Sequence, residues 1–118
     1  MTIAVYGIKN CSTVKKARDW LNEQGVTHIF HDYKIEGADP ERLAAWCREF
    51  GWEVVLNRAG TTFRKLPDAD RENLDVNKAI KLMVAQPSMI KRPVVDLGAY
   101  RLIGFKPEAY RDAFTKGR

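Results

Sequence analysis

Between residues 2 and 33 the hydrophobic pattern changes period twice. Residues 2–6 form a short apolar run closed by Gly7, the mark of a buried strand. From Ser12 the pattern turns helical: Val14, Ala17 and Leu21 share a face, Trp20 adjoins it, and Gly25 supplies a stop. Residues 27–33 then return to β-branched and aromatic side chains, a second strand. Strand, helix and strand in that order argue for a parallel pair joined by a crossover helix, and the rest of the chain has to build on that unit.

The middle of the chain is helical and its end is β. Asp39-Pro40 is a strong helix start, with an N-cap side chain before a proline at the first helical position. Leu43, Trp46, Cys47 and Phe50 make one apolar stripe ended by Gly51. Residues 52–67 are less regular. A further helix is expected over residues 73–85, with Val76, Ala79, Ile80, Met83 and Val84 on its buried face, broken by Gln86-Pro87. Residues 93–97 and 100–105 read as a hairpin around Gly98-Ala99. A last amphipathic helix comes after Pro107, with Ala109, Tyr110, Ala113 and Phe114 apolar. The order βαβ, then helices, then ββα is that of an α/β, thioredoxin-like fold with a helical insertion. No repeat or linker is visible, so residues 1–118 are expected to form one domain, the insertion falling at roughly 38–90.

Composition excludes several classes. At 118 residues and 45% hydrophobic, the chain can bury a core without disulfide staples. No apolar run approaches the roughly 20 residues of a membrane span, and the N-terminus lacks a signal-peptide pattern, so a cytoplasmic protein with reduced cysteines is expected. The net charge of +5 is spread among acidic residues rather than gathered into a Lys/Arg block, which argues against nucleic acid as a partner.

Chemistry centres on Cys11. It precedes a predicted helix by one residue, where unpaired backbone N–H groups and the helix dipole favour thiolate over thiol. Lys9 and Lys15 add positive charge nearby. Cys47 sits mid-stripe on a core face, where packing is its expected role. His28 and His31, three apart on a strand, point to opposite faces and make a poor metal pair. The run Asp68, Asp70, Glu72 and Asp75 lacks calcium-loop spacing and fits a solvated helix entry. Arg58, Arg92 and Arg101 are ordinary arginines taken singly. Arg92 stands out because Pro93 comes next, at a strand start beside the first strand, and an X-Pro bond there can be cis.

The stretches VYGIKNCSTVKKARDWL, LNRAGTTFRKL, NKAIKLMVAQPSMIKRPVV and RLIGF occur in this order along nearly the whole chain. With them the chain resembles the arsenate reductase (ArsC) family, within its YffB/Spx branch. The resemblance implies a thioredoxin-like core with a helical insertion, a catalytic cysteine at Cys11, a cis proline at Pro93 and an anion pocket of Arg58, Arg92 and Arg101. Planar guanidinium groups in such a pocket hold an oxyanion or carboxylate and stabilise a thiolate. Spx regulators commonly carry Cys-x-x-Cys, but here Cys11 is succeeded by Ser12, Thr13 and Val14. Arsenate reductases of the family usually have Asn-Pro two residues ahead of the cysteine; here the sequence is Lys9-Asn10-Cys11.

With no second cysteine in the motif, a resolving thiol must come from outside, and glutathione is the abundant cytosolic candidate. The expectation is a monothiol, glutathione-dependent thiol/disulfide reductase. Cys11 is the nucleophile, the three arginines bind an anionic group, and Asn10 and Ser12 donate to the loop or the sulphur, with Lys9 and Pro93 in support. Glutathione is the expected co-substrate, glutaredoxin a further partner, and the substrate a small oxidised compound or oxyanion. No metal or organic cofactor is implied. The alternatives are an arsenate reductase dependent on glutathione and glutaredoxin, and a non-enzymatic, Spx-like regulator that binds RNA polymerase.

Overall fold

The structure, a computed structural model, describes residues 2–116. It opens with β1 (Ile3–Gly7), α1 (Ser12–Glu23) and β2 (His28–Asp32). β1 and β2 are parallel and in register from Ile3↔His28 to Gly7↔Asp32. Val14, Ala17 and Leu21 are the buried residues of α1, the face read from the sequence. The middle of the chain carries α2 (Tyr33–Glu36), α3 (Pro40–Phe50), α4 (Trp52–Val55), α5 (Thr61–Arg64), α6 (Asp68–Arg71) and α7 (Val76–Ala85), then a 3₁₀ turn at Pro87–Met89. The chain ends in β3 (Val94–Asp96), β4 (Arg101–Ile103) and α8 (Pro107–Lys116). The sheet order is β2-β1-β3-β4, with β3 antiparallel to both β1 and β4. This is the thioredoxin-like arrangement of a βαβ unit and then ββα.

The chain divides into two compact units: residues up to Asp32 together with those from Arg92 onward, and Tyr33–Lys91. In the first, Val5, Ala17, Leu21, Val95 and Tyr110 form the core. Tyr110 anchors α8 there, its ring edge-on to Trp20 at 5.6 Å and to Phe105 at 4.9 Å. In the second, α3 packs against α7, with Leu43, Trp46, Cys47, Ala79 and Met83 buried. Asp39 caps α3 by accepting the Glu41 N–H. A short antiparallel ladder ties the exit of α4 to the end of this unit: Leu56 bridges Ile90, Asn57 N–H donates to Met89 O, and Lys91 N–H donates to Val55 O.

The structure departs from the sequence reading at several points. α7 begins at Val76 rather than at residue 73, because Asn73 takes a left-handed φ of 52° and Asp75 is the cap, accepting the Lys78 N–H at 2.8 Å. Val76 and Val84, expected on the buried face, are 40% and 38% exposed. Ala79 and Met83 face inward; Val84, one residue after Met83, is turned about 100° away, and Val76 lies in the first turn. Ala109, expected on the apolar face of α8, is exposed, while Tyr110 is buried. β4 is shorter than expected because Gly104 turns out of the strand at φ 77°. Tyr33 opens α2 instead of closing β2.

Candidate active site

Two chain approaches build the site, both within the first unit. At Gly7 the end of β1 meets the start of α1: a Cβ on Gly7 would lie 2.7 Å from Val14 Cγ2, closer than real Cβ contacts allow. Cys11 lies between these two elements, after a loop of residues 8–10. In that loop Lys9 N–H donates to Asp32 Oδ2 at 3.2 Å, tying it to the last residue of β2. Cys11 is the N-cap residue of α1, with extended backbone (φ −107°, ψ 126°), and its carbonyl accepts the Lys15 N–H.

The second approach comes from β3. Tyr6 pairs with Val94 in an antiparallel register, so the residues just before β3 run alongside the end of β1. Those residues are Arg92 and Pro93, joined by a cis peptide bond. Pro93 O accepts the Gly104 N–H at 2.8 Å, and Gly104 O accepts the Tyr110 hydroxyl at 2.7 Å. The Arg92 side chain lies close enough to Cys11 to act on its sulphur through hydrogen bonding and charge, both favouring the thiolate.

These surroundings set the state of the thiol. Partial burial pushes Cys11 up, but the Val14 N–H, the Arg92 hydrogen bond, the Thr13 N–H and the Arg92 charge pull the other way, and the thiol lies below its ordinary value. Cys11 makes no cap hydrogen bond of ordinary geometry. The two amides nevertheless face its sulphur and favour negative charge on it, as unpaired N–H groups at a helix start do. Cys47 is the reverse case. It is buried in the second unit, and burial first, then the Glu53 carboxylate, push its thiol up.

Cys11, Arg92 and Pro93 are thus brought together. The lysines expected to assist are not the cations at the sulphur: Lys15 pairs with Asp19 at 2.8 Å, and Lys9 contributes its backbone N–H to Asp32. Asn10 and Ser12 are exposed, and their side chains make no hydrogen bond among the described residues. The N–H groups that favour charge on the sulphur are the main-chain groups of Val14 and Thr13. Arg101 stands opposite Asp96 and forms an ion pair with it at 3.4 Å, level with Ala4 rather than with the strand end that leads to Cys11. Arg58 belongs to the second unit, where its guanidinium lies over the Trp52 ring at 5.3 Å.

His28 and His31 lie on the edge strand β2 and are engaged structurally. His28 accepts from Arg18 Nε at 3.3 Å and holds Val26 O with its other ring nitrogen, while His31 stacks on Tyr6 at 4.8 Å. Among the described residues no group of three or more His, Cys, Asp or Glu side chains could hold a metal ion. Sequence reasoning missed Asp32. The available signal was a carboxylate inside the run of residues 27–33 that reads as a strand.

A protein-family model for the ArsC family matches residues 6–113 of the chain. The chain belongs to the ArsC family. Among solved structures, the YFFB (PA3664) protein is 62% identical, with a TM-score of 0.93 over 95% of this chain and 98% of that one. An arsenate reductase (ArsC) related protein from Brucella melitensis is 52% identical, with a TM-score of 0.76 over 98% of this chain and 96% of that one. The global transcriptional regulator Spx of Streptococcus mutans is 29% identical over 86% of this chain and 75% of its own length. The resemblance of this ArsC-family chain therefore extends to one relative named for a reductase and to one named for regulation.

Proposed function

We propose that the chain is a glutathione-dependent monothiol thiol/disulfide reductase with Cys11 as its nucleophile. The observation that carries the reading is the contrast between the two cysteines. The Cys11 thiol is held below its ordinary value by amides and a guanidinium, while Cys47 is buried and pushed up. A chain with one activated thiol and no motif partner needs a second thiol from solution.

The chemistry is thiol–disulfide exchange. Cys11 thiolate attacks one sulphur of a substrate disulfide; the S–S bond breaks, a mixed disulfide forms on Cys11, and the other half leaves as a thiolate that takes a proton from solvent. One glutathione thiolate displaces the bound half and leaves glutathione on Cys11. A second glutathione attacks that adduct, releasing glutathione disulfide and regenerating the Cys11 thiolate. The substrate gains two electrons, supplied by two glutathione molecules. Arg92 supports the cycle twice. It stabilises the thiolate as attacking and leaving group, and its guanidinium suits the carboxylates of glutathione.

The ArsC-related relative from Brucella melitensis supports a second reading, arsenate reduction at the same sulphur, because a guanidinium beside a thiolate suits an oxyanion equally. Side-by-side turnover separates them. With glutathione, a small disulfide should be reduced by wild type and by Cys47→Ala, lost in Cys11→Ser, and arsenate with added glutaredoxin should be turned over poorly or not at all. Efficient arsenate turnover moves the assignment to arsenate reductase. No turnover of either substrate, with capture of RNA polymerase from a purified preparation, moves it to a regulator of the Spx type.

A further inference from the structure

We infer that Asp32 is a positioning residue for Cys11, acting as a hydrogen-bond acceptor that fixes the loop between β1 and α1. This inference rests on Cys11 being the nucleophile. Asp32 is the buried charged residue of the described chain, 8% exposed. Burying a carboxylate is costly unless its oxygens are satisfied, so its place in the fold calls for partners. One partner is the Lys9 N–H, 23 positions away in sequence.

The register explains why that bond matters. Gly7, where β1 ends, is paired with Asp32, where β2 ends. The carboxylate therefore stands where the loop leaves the sheet. The loop is fixed at its far end by α1, whose start packs on Gly7. It is fixed at its near end by Asp32, which holds the peptide two residues before Cys11. Between these two ties the sulphur is held against the Val14 and Thr13 amides and Arg92. The bond that Asp32 accepts comes from the Lys9 peptide and not from Cys11, so the inferred effect on reactivity runs through loop geometry. A reactive side chain held by a second layer of hydrogen bonds keeps its geometry better than one on a free loop.

The test is the pH profile of Cys11 alkylation by iodoacetamide in wild type, Asp32→Asn and Asp32→Ala, with folding checked by circular dichroism. Asparagine keeps an acceptor oxygen and removes the charge; alanine removes both. The expected result is a wild-type midpoint below that of a free cysteine, a similar midpoint in Asp32→Asn, and a raised midpoint in Asp32→Ala. Alkylation at pH 7 in Asp32→Ala should slow by roughly three- to tenfold, the scale of one lost hydrogen bond. Unchanged midpoints in both variants overturn the inference. So do equal rises in both, which would show that a neutral acceptor oxygen does not hold the loop, and a fall in both, which would mark Asp32 as a repelling neighbour. A wild-type midpoint at the free-cysteine value instead overturns the nucleophile reading. Asp32 has a further interaction in the fold, so Asp32→Ala has a second route to instability. Amide exchange in the wild-type protein covers that case: the Lys9 N–H should be protected, and exchange at the free-peptide rate overturns the inference.

Discussion

Burial alone would make Cys11 a poor nucleophile, since desolvation opposes the thiolate and is the largest single influence on it. Its reactivity therefore depends on the opposing groups acting together, and Arg92 is the one among them that a side-chain substitution removes cleanly. Arg92→Ala deletes both a hydrogen bond and a charge at the sulphur, so the alkylation midpoint of Cys11 should rise. A charge-assisted hydrogen bond is worth about 1.5–3 kcal/mol, so glutathione-adduct formation near pH 7 should slow roughly tenfold or more. Arg92→Lys should recover part of this, because an ammonium keeps the charge without the planar fork. A stopped alkylation series read by peptide mass measures both effects, and identical midpoints in all three proteins would remove Arg92 from the site. At this scale the sequence is informative where the signal is local. A cysteine one residue before a helix and an arginine before a strand-initiating proline are visible in the chain itself. The Asp32 bond spans 23 positions and leaves no such local mark. Arg101 has an ion-pair partner that the local sequence does not mark, for a related reason. Its partner Asp96 lies across the hairpin, and only the register pairs them.

Among the elements, α1 and β1 carry the site, and they approach closely at Gly7. Val14 is 1% exposed, so it has little room to yield to a new Cβ. Gly7→Ala should therefore destabilise the protein by about 1–3 kcal/mol, the usual range for overpacking a core. Combining it with Val14→Ala should recover part of the loss, giving a favourable coupling of about 0.5 kcal/mol or more. Urea unfolding of the four proteins in that cycle measures the coupling, and additive losses would show that the contact is not what limits the site. The elements that define the fold class are legible because their periods are strong: the apolar run of β1, the Val14, Ala17, Leu21 face of α1, and the Asp39-Pro40 start of α3. The short elements are not. α2, α4, α5 and α6 are four residues each, too short for a period to show. The start of α7 differs from its expected place because a left-handed Asn73 leaves no mark in a hydrophobic pattern.

For the molecule as a whole, the two ends of the chain make the thioredoxin-like unit and the middle makes a second one, so the two cysteines fall in different units. They also affect stability in opposite senses. The Cys11 thiol is lowered in the fold, so its ionisation favours the folded state: that contribution is complete above the ordinary thiol value of 9.0 and is lost as pH falls through the folded value. The Cys47 thiol is raised, so stability is lost as pH climbs past the ordinary value. The stability difference between wild type and Cys11→Ser should accordingly grow in favour of wild type from acid pH to about pH 9. Thermal unfolding across that range would show it, and a pH-independent difference would contradict a thiolate stabilised by the fold. Of the unfolding and labelling experiments, one speaks most directly to the claim that this chain works through a single thiol. Intact mass is recorded after incubation with glutathione disulfide at pH 7, wild type beside Cys11→Ser. The account predicts one glutathione on wild type and none on Cys11→Ser with Cys47 present. An unmodified wild type, or equal modification of both proteins, would contradict it.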